Sequence, residues 1–251
     1  MSYLDFRTDP DNASGSFSNT FVASGKETSN AGSREYVPAF YVAAPINDQT
    51  VLGLSVTSPF GLSTKYNSDW IGRYRAVESR INTFNINPSV SYKIDDKLSV
   101  GAGLQAQYYQ ATLTKAVVNS GDPYTASSDF IGKAKGSDWG YGYNLGATYK
   151  VNDDLKLGLG YRSKIDYKLT GRTQVVGYGW YSDFNAKTTT PESLTAGAAY
   201  KLNNTVDLSY DVTWTRWSRL KSLSIIAVIF FVNWKFVTTI SIFICSTISF
   251  N

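Results

Sequence analysis

No histidine occurs among the 251 residues. That removes imidazole acid–base catalysis, Ser-His triads and histidine metal ligands together. Cysteine is reduced to Cys245, so no disulfide forms within the chain and no cysteine metal cluster exists. No apolar run before residue 222 is long enough for a membrane-crossing helix, which needs about twenty predominantly apolar residues. Charged residues make up only 18% of the chain, with a net charge of +4, and the Lys and Arg are scattered, which leaves no footprint for nucleic acid. Phosphate-loop and dinucleotide fingerprints are absent. The adjacent carboxylates, Asp95-Asp96 and Asp153-Asp154, stand in turn sequences. The chain is therefore expected to be no enzyme, with no cofactor and no metal.

What is abundant is aromatic: 15% of residues, with 18 tyrosines. One phrase also recurs. YKIDDKLSVGAG (Tyr92 to Gly103) returns as YKVNDDLKLGLG (Tyr149 to Gly160), as YKLNNTVDLSYD (Tyr200 to Asp211) and, more loosely, as AAPINDQTVLGLS (Ala43 to Ser55). Each copy is a strand-like run, a few turn-formers and a second strand-like run. Asp and Asn tolerate left-handed backbone angles and bond to their own backbone, so each phrase reads as an antiparallel hairpin with a tight turn.

The flanks alternate with period two. Phe84, Ile86, Pro88, Val90, Tyr92 and Ile94 interleave with Asn85, Asn87, Ser89, Ser91 and Lys93. The same pattern runs through 98–108, 139–151 and 206–214. Eight strands are expected, at 36–45, 50–59, 83–94, 97–109, 138–151, 154–167, 191–202 and 205–217. Most are longer than the five or six residues usual in globular sheets and suit the roughly nine to eleven that cross a bilayer at a tilt. Tyr92, Tyr108, Trp139, Tyr149, Tyr200 and Trp214 sit near strand ends, where a membrane barrel places its aromatic girdles. One end has short turns, and the other has long polar stretches at 65–82, 115–137 and 168–190, as in outer-membrane barrels. The fold class expected is all-β, an antiparallel transmembrane β-barrel in part. A soluble barrel or sandwich is the competing arrangement.

The ends differ from this body. Residues 1–33 are polar and read as a loop, with no basic start and apolar core of a signal peptide. Residues 34–221 form the partial barrel. From Ser222 an apolar tail with one charge, Lys235, loses clean alternation. It reads as two more strands or as sequence foreign to this fold.

Several stretches carry a family resemblance. The segment from Ser55 to Tyr108, with PFGL, then DWIGRY, then NINPS, resembles the FadL-type long-chain fatty-acid transporters of Gram-negative outer membranes. Trp139 to Gly171, Thr190 to Tyr200 and Asp211 to Leu223 are similar in the same order. The resemblance implies a fourteen-stranded barrel with an N-terminal hatch, located in the outer membrane. It implies uptake of fatty acids or other hydrophobic compounds by a monomer surrounded by membrane lipid. The chain departs from the pattern in lacking the hatch's Asn-Pro-Ala segment and the last strands, so it is expected to be a truncated, impaired copy. The alternatives are a general porin or adhesin-type barrel, or a non-functional gene remnant.

Four groups of residues are candidates for the ligand path. With even positions of 98–108 toward lipid, Tyr109, Ala111, Leu113 and Lys115 face the lumen, which turns from polar at Gln105 and Gln107 to apolar and ends in a cation. The resemblance puts Lys115 where the family holds a basic residue against the ligand carboxylate; a solvated loop lysine is the other reading. Arg162 points inward with Lys164, toward Asp207 and Asp211, as a ligand cation or part of an ion-pair network. Pro59, Phe60, Gly61 and Leu62 interrupt a strand, either as its entry into a loop or, by resemblance, as a kink that opens the wall sideways. Trp70, Ile71 and Tyr74 are apolar for a loop and form either an outer docking groove or a self-packed cap.

Overall fold

The computed structural model describes residues 2–5, 16–18, 21–22, 31–32, 34–118, 129–202, 206–219, 223–231 and 234–242. No helix among them is long and apolar enough to cross a membrane, which says nothing about crossing by strands. The chain opens with β1 (Ser2–Asp5), β2 (Ser16–Ser18), β3 (Phe21–Val22) and β4 (Arg34–Val37). Then come β5 (Phe40–Pro45), β6 (Thr50–Thr57), β7 (Gly61–Lys65), β8 (Glu78–Lys93), β9 (Leu98–Val117) and β10 (Phe130–Lys150). β11 (Leu155–Arg162), β12 (Ile165–Val176), β13 (Trp180–Thr190), β14 (Ser193–Lys201) and β15 (Asp207–Thr215) follow, with β16 (Leu223–Phe231) and β17 (Trp234–Ile242) last.

Strands β5 to β15 make one antiparallel sheet of eleven strands, whose main path runs β15-β14-β11-β10-β9-β8-β6-β5. Its edges, β5 and β15, are not hydrogen-bonded to one another, so the sheet is open. All eight expected strands are present, but the polar stretches read as loops are partly strand. β8 starts at Glu78, β9 runs on to Val117, β10 begins at Phe130, and 168–190 forms most of the β12–β13 hairpin. In the N-terminal segment read as loop, β1 pairs with β4 and β2 with β3. In the apolar tail, β16 and β17 pair with each other.

The repeated phrase is one turn built three times. The side-chain oxygen of Asn47 accepts from the N–H groups of Gln49 and Thr50 at 3.0 and 2.8 Å. Asp95 accepts from Leu98 and Lys97, both at 2.7 Å, and Asn152 from Asp154 and Leu155 at 3.0 and 2.8 Å. The Leu98 and Lys97 N–H groups hold the Asp95 carboxyl below the usual carboxylate range. The Asn203-Asn204 turn and Cys245 lie outside the described residues.

The outer face of the lower sheet is apolar and bare. Leu104 is 69% exposed and Tyr141 76%, with Leu145, Leu159, Leu208 and Tyr210 also exposed. A contiguous surface of this kind belongs against lipid rather than water. Tyr92, Tyr149 and Tyr200 edge it at the turn end. Trp139 marks the other edge, its ring 5.5 Å from Tyr108 on the neighbouring strand. The ten residue steps from Trp139 to Tyr149, at ~3.3 Å each and a tilt of ~40°, span about 25 Å, the height of the apolar band of an outer-membrane barrel.

Candidate ligand-binding site

The inner face changes character at one level. Below it, Asn85, Gln105 and Gln107 are buried and polar. Gln105 Nε2 donates to the Tyr143 carbonyl at 2.9 Å, and Asn87 Nδ2 donates to Asn144 Oδ1. That second bond crosses Gly103, where a Cβ would come within 2.6 Å of Asn87 Oδ1 and 2.7 Å of Asn144 Oδ1. Above it lies a cluster of Ile81, Tyr109, Ala111, Leu113, Ala134, Ile165, Tyr167, Leu169, Phe184 and Ala186. Leu113 is 2% exposed and Leu169 0%. The predicted switch from polar to apolar between Gln107 and Tyr109 is where the structure has it, and Ala111 and Leu113 are in the cluster.

The greater part of the cluster comes from β12 and β13 through a bulge. Seven steps along β10, from Asn144 to Ser137, match eight along its partner, from Arg162 to Thr170. The extra residue falls at Ser163–Lys164, between β11 and β12. A bulge of this kind reverses which side chains face which way. Leu155, Leu157, Leu159 and Tyr161 lie on the outer face of β11. Ile165, Tyr167 and Leu169, still on odd numbers, are buried on the inner face of β12. The opposite break, at Pro191–Glu192, reverses β13 against β14 in the same way, so Phe184 and Ala186 are buried while Leu194 and Tyr200 are exposed. One apolar stripe thus passes from the lipid side of the wall to the lumen side.

Side chains close the gap this leaves in the ladder. Ser163 N–H donates to the Tyr143 carbonyl at 2.9 Å, and Ser163 Oγ accepts the Tyr143 N–H at 2.9 Å. Asp138 Oδ2 accepts the Lys168 N–H at 2.7 Å. Ser163→Ala leaves the Tyr143 N–H without its acceptor and is expected to cost about 1–2 kcal/mol. Faster hydrogen exchange at the Tyr143 amide is the check; an unchanged rate would show that Ser163 does not hold the bulge.

Lys115 pairs in register with Gly132 at the top of β9 and is half-buried. It lies above the lipid band, and burial pushes its ammonium below the usual lysine range. Arg162 is half-buried below the cluster, and its Nη2 has no hydrogen-bond partner among the described residues. Among the described residues, Arg162, Asp207 and Asp211 form no ion pair, so the ion-pair alternative is not found there. Lys164 is turned outward at the bulge and pairs with Asp166 at 2.6 Å, while Asp207 and Asp211 are exposed on the edge strand β15.

The Pro59 interruption is also a bulge. Thr57 to Gly61 is four steps, matched by three on β8, from Asn85 to Asn82. Thr83 Oγ1 accepts the Phe60 N–H at 3.0 Å and donates to the Phe60 carbonyl, so a side chain spans the broken ladder. Phe60 meets Trp217 edge to face at 6.4 Å, and Leu62 is exposed.

Around Trp70, Ile71 and Tyr74 the chain packs on itself. Trp70 stacks on Tyr66 at 4.1 Å and its indole N–H donates to the Ala76 carbonyl at 2.9 Å. Buried Arg73 reaches Asp129 Oδ2 at 2.7 Å, and the Tyr74 hydroxyl donates to the same oxygen at 2.8 Å. Burial, together with Asp129, pushes the Tyr74 hydroxyl up to about 12.

Sequence reasoning missed Ile165, Tyr167, Leu169, Phe184 and Ala186. Their signal was a second alternating stripe over 165–175, ending in Gly177 and Gly179, both with positive φ (84° and 69°) in the hairpin turn.

The chain matches the family described as outer membrane protein transport protein (OMPP1/FadL/TodX) over residues 2–242. It is 27% identical over 219 residues to outer membrane protein P1 of Haemophilus influenzae, covering 75% of this chain and 47% of that protein. It is 28% identical over 165 residues to the long-chain fatty acid transport protein of Escherichia coli K12, covering 55% of this chain and 37% of that one. The chain spans about half the length of the curated relatives it matches. Its fold resembles the crystal structure of a Pseudomonas aeruginosa FadL homologue, with a TM-score of 0.69 at 24% identity over 78% of this chain and 52% of that one. The Pseudomonas putida toluene transporter TodX follows with a TM-score of 0.55 at 18% identity, over 80% and 60%. With the family model matched along nearly its whole length, the chain belongs to the OMPP1/FadL/TodX family of outer-membrane proteins of Gram-negative bacteria.

Proposed function

We propose that this chain builds part of an uptake path for hydrophobic compounds, long-chain fatty acids among them, and that it is not an enzyme. The observation that carries this is the buried apolar cluster inside a wall whose outer face at the same level is polar. An aqueous porin has no use for such a lining, because its channel is polar. Lys115, half-desolvated above the cluster, is the cation for a carboxylate. Arg162 is a second cation below it, the Trp70–Tyr74 cap is the rim where a ligand first lands, and the bulge at Pro59–Leu62 is the lateral exit. The printed names of relatives, a long-chain fatty acid transport protein and a toluene transporter, agree with a hydrophobic cargo. The protein acts as a monomer, with lipid against its outer face. The open edges at β5 and β15 cannot be satisfied by hydrocarbon, so transport by this chain alone is weak until they are covered.

Binding of saturated fatty acids of increasing length tests this. Each methylene buried in the cluster is worth ~0.8 kcal/mol, or roughly a fourfold gain in affinity per carbon. A series measured by displacement of a fluorescent fatty acid is expected to rise steeply. Affinity that does not change with chain length would sink the proposal.

A further inference from the structure

The outer face above the lipid band carries a group of cations, most of which have no ion-pair partner among the described residues. In the β10–β12–β13 register, Lys135 stands directly opposite Arg172, and Lys168 directly opposite Lys187. Like charges directly opposed across a sheet destabilise it unless an anion lies between them. Asp183 reaches Arg172 at 3.5 Å, and Arg172 lies over the Tyr181 ring at 4.6 Å. Among the described residues, Lys133, Lys135, Lys168 and Lys187 form no ion pair. Two lysines at the short-turn end are treated differently, since Lys93 pairs with Asp96 and Lys150 with Asp153, both at 2.6 Å.

Position supplies the missing anion. Lys168 is tied through its N–H to Asp138, the residue next to Trp139 at the edge of the apolar band. Lys135 lies four residues beyond Trp139 on the same strand, about 10 Å higher at the barrel tilt. That is the depth of the headgroup layer on the long-loop side, which in outer-membrane barrels faces outward. We propose that Lys135, Lys168, Arg172 and Lys187 form a docking surface for the phosphate groups of anionic lipid headgroups in the outer leaflet. The bulge at Ser163 makes the surface possible, because the same reversal that turns Ile165, Tyr167 and Leu169 inward turns Lys168 and Arg172 outward.

The test is native mass spectrometry of the full chain in detergent, incubated with a diphosphorylated glycolipid and, separately, with its enzymatically dephosphorylated form. The phosphorylated lipid is expected to be retained at least about fivefold better, the weight of a single basic residue at an anionic surface. Equal retention of the two forms by the unsubstituted protein would overturn the proposal, and this comparison requires no variant. K135Q/K168Q/K187Q is expected to abolish the preference, while K93Q/K150Q at the opposite end is expected to keep it. A triple variant that still shows heat-shifted gel mobility and retains the full preference would also overturn it.

Discussion

Leu145→Arg is expected to cost the protein about 2–4 kcal/mol in a bilayer, the penalty for a cation near the midplane on the lipid face of a barrel. Leu145 is exposed on the outer side of β10, between the Trp139 and Tyr149 girdles. Asn185→Arg is expected to stay within about 0.5 kcal/mol, as surface substitutions do. Asn185 is also exposed on an outer face, but on β13 above the band, between Asp183 and Lys187. Urea unfolding in lipid vesicles measures both. Equal costs would mean that the lipid band extends over the β12–β13 hairpin and that its edge is not at Trp139.

Gly140→Val is expected to displace that hairpin. A Cβ at Gly140 would sit 2.4 Å from Ile165 Cγ2 and 2.6 Å from Tyr167 Cε1. Overpacking of this order costs about 1–3 kcal/mol. Ile165→Ala alone is expected to cost about 2–5 kcal/mol, because Ile165 is buried in the apolar cluster. Together they are expected to cost at least about 1 kcal/mol less than their sum, since the cavity made by one accepts the branch added by the other. Strict additivity would show that Ile165 does not lie over Gly140.

The sequence was most legible where polarity and period agreed. In the lower halves of β8, β9 and β10, every second residue is apolar and the structure puts that set on the lipid side. The switch at Tyr109, Ala111 and Leu113 could also be read, because β9 keeps one register with β8 and β10 along its length. The bulge at Ser163 could not. The odd-numbered stripe from Leu155 through Tyr161 to Ile165, Tyr167 and Leu169 continues across it without a break in period, and no Gly or Pro marks the place. Period alone therefore sends Ile165 and Tyr167 to lipid. The contrary signal lay in the other stripe, where Asp166, Lys168, Thr170 and Arg172 would have lined the lumen with charge. Lys168, Thr170 and Arg172 also made 168–190 look like loop, although polar residues on the outer face of a strand above the membrane are no obstacle to pairing. The interruption at Pro59 was legible because Pro and Gly announce it, while its closure by Thr83 depends on a long-range neighbour that local sequence does not reveal.

One apolar stripe crosses from the lipid face to the lumen at Ser163. A single environment-sensitive label tests it most directly, placed by cysteine at Leu157 or at Leu169 in a Cys245→Ser background. In vesicles of bromine-labelled lipid, the label at 157 is expected to be strongly quenched and the label at 169 left bright. Bromine-labelled fatty acid added in plain vesicles is expected to quench the label at 169. Lipid quenching at 169 as strong as at 157 would contradict the crossing and return the stripe to the outside of the wall.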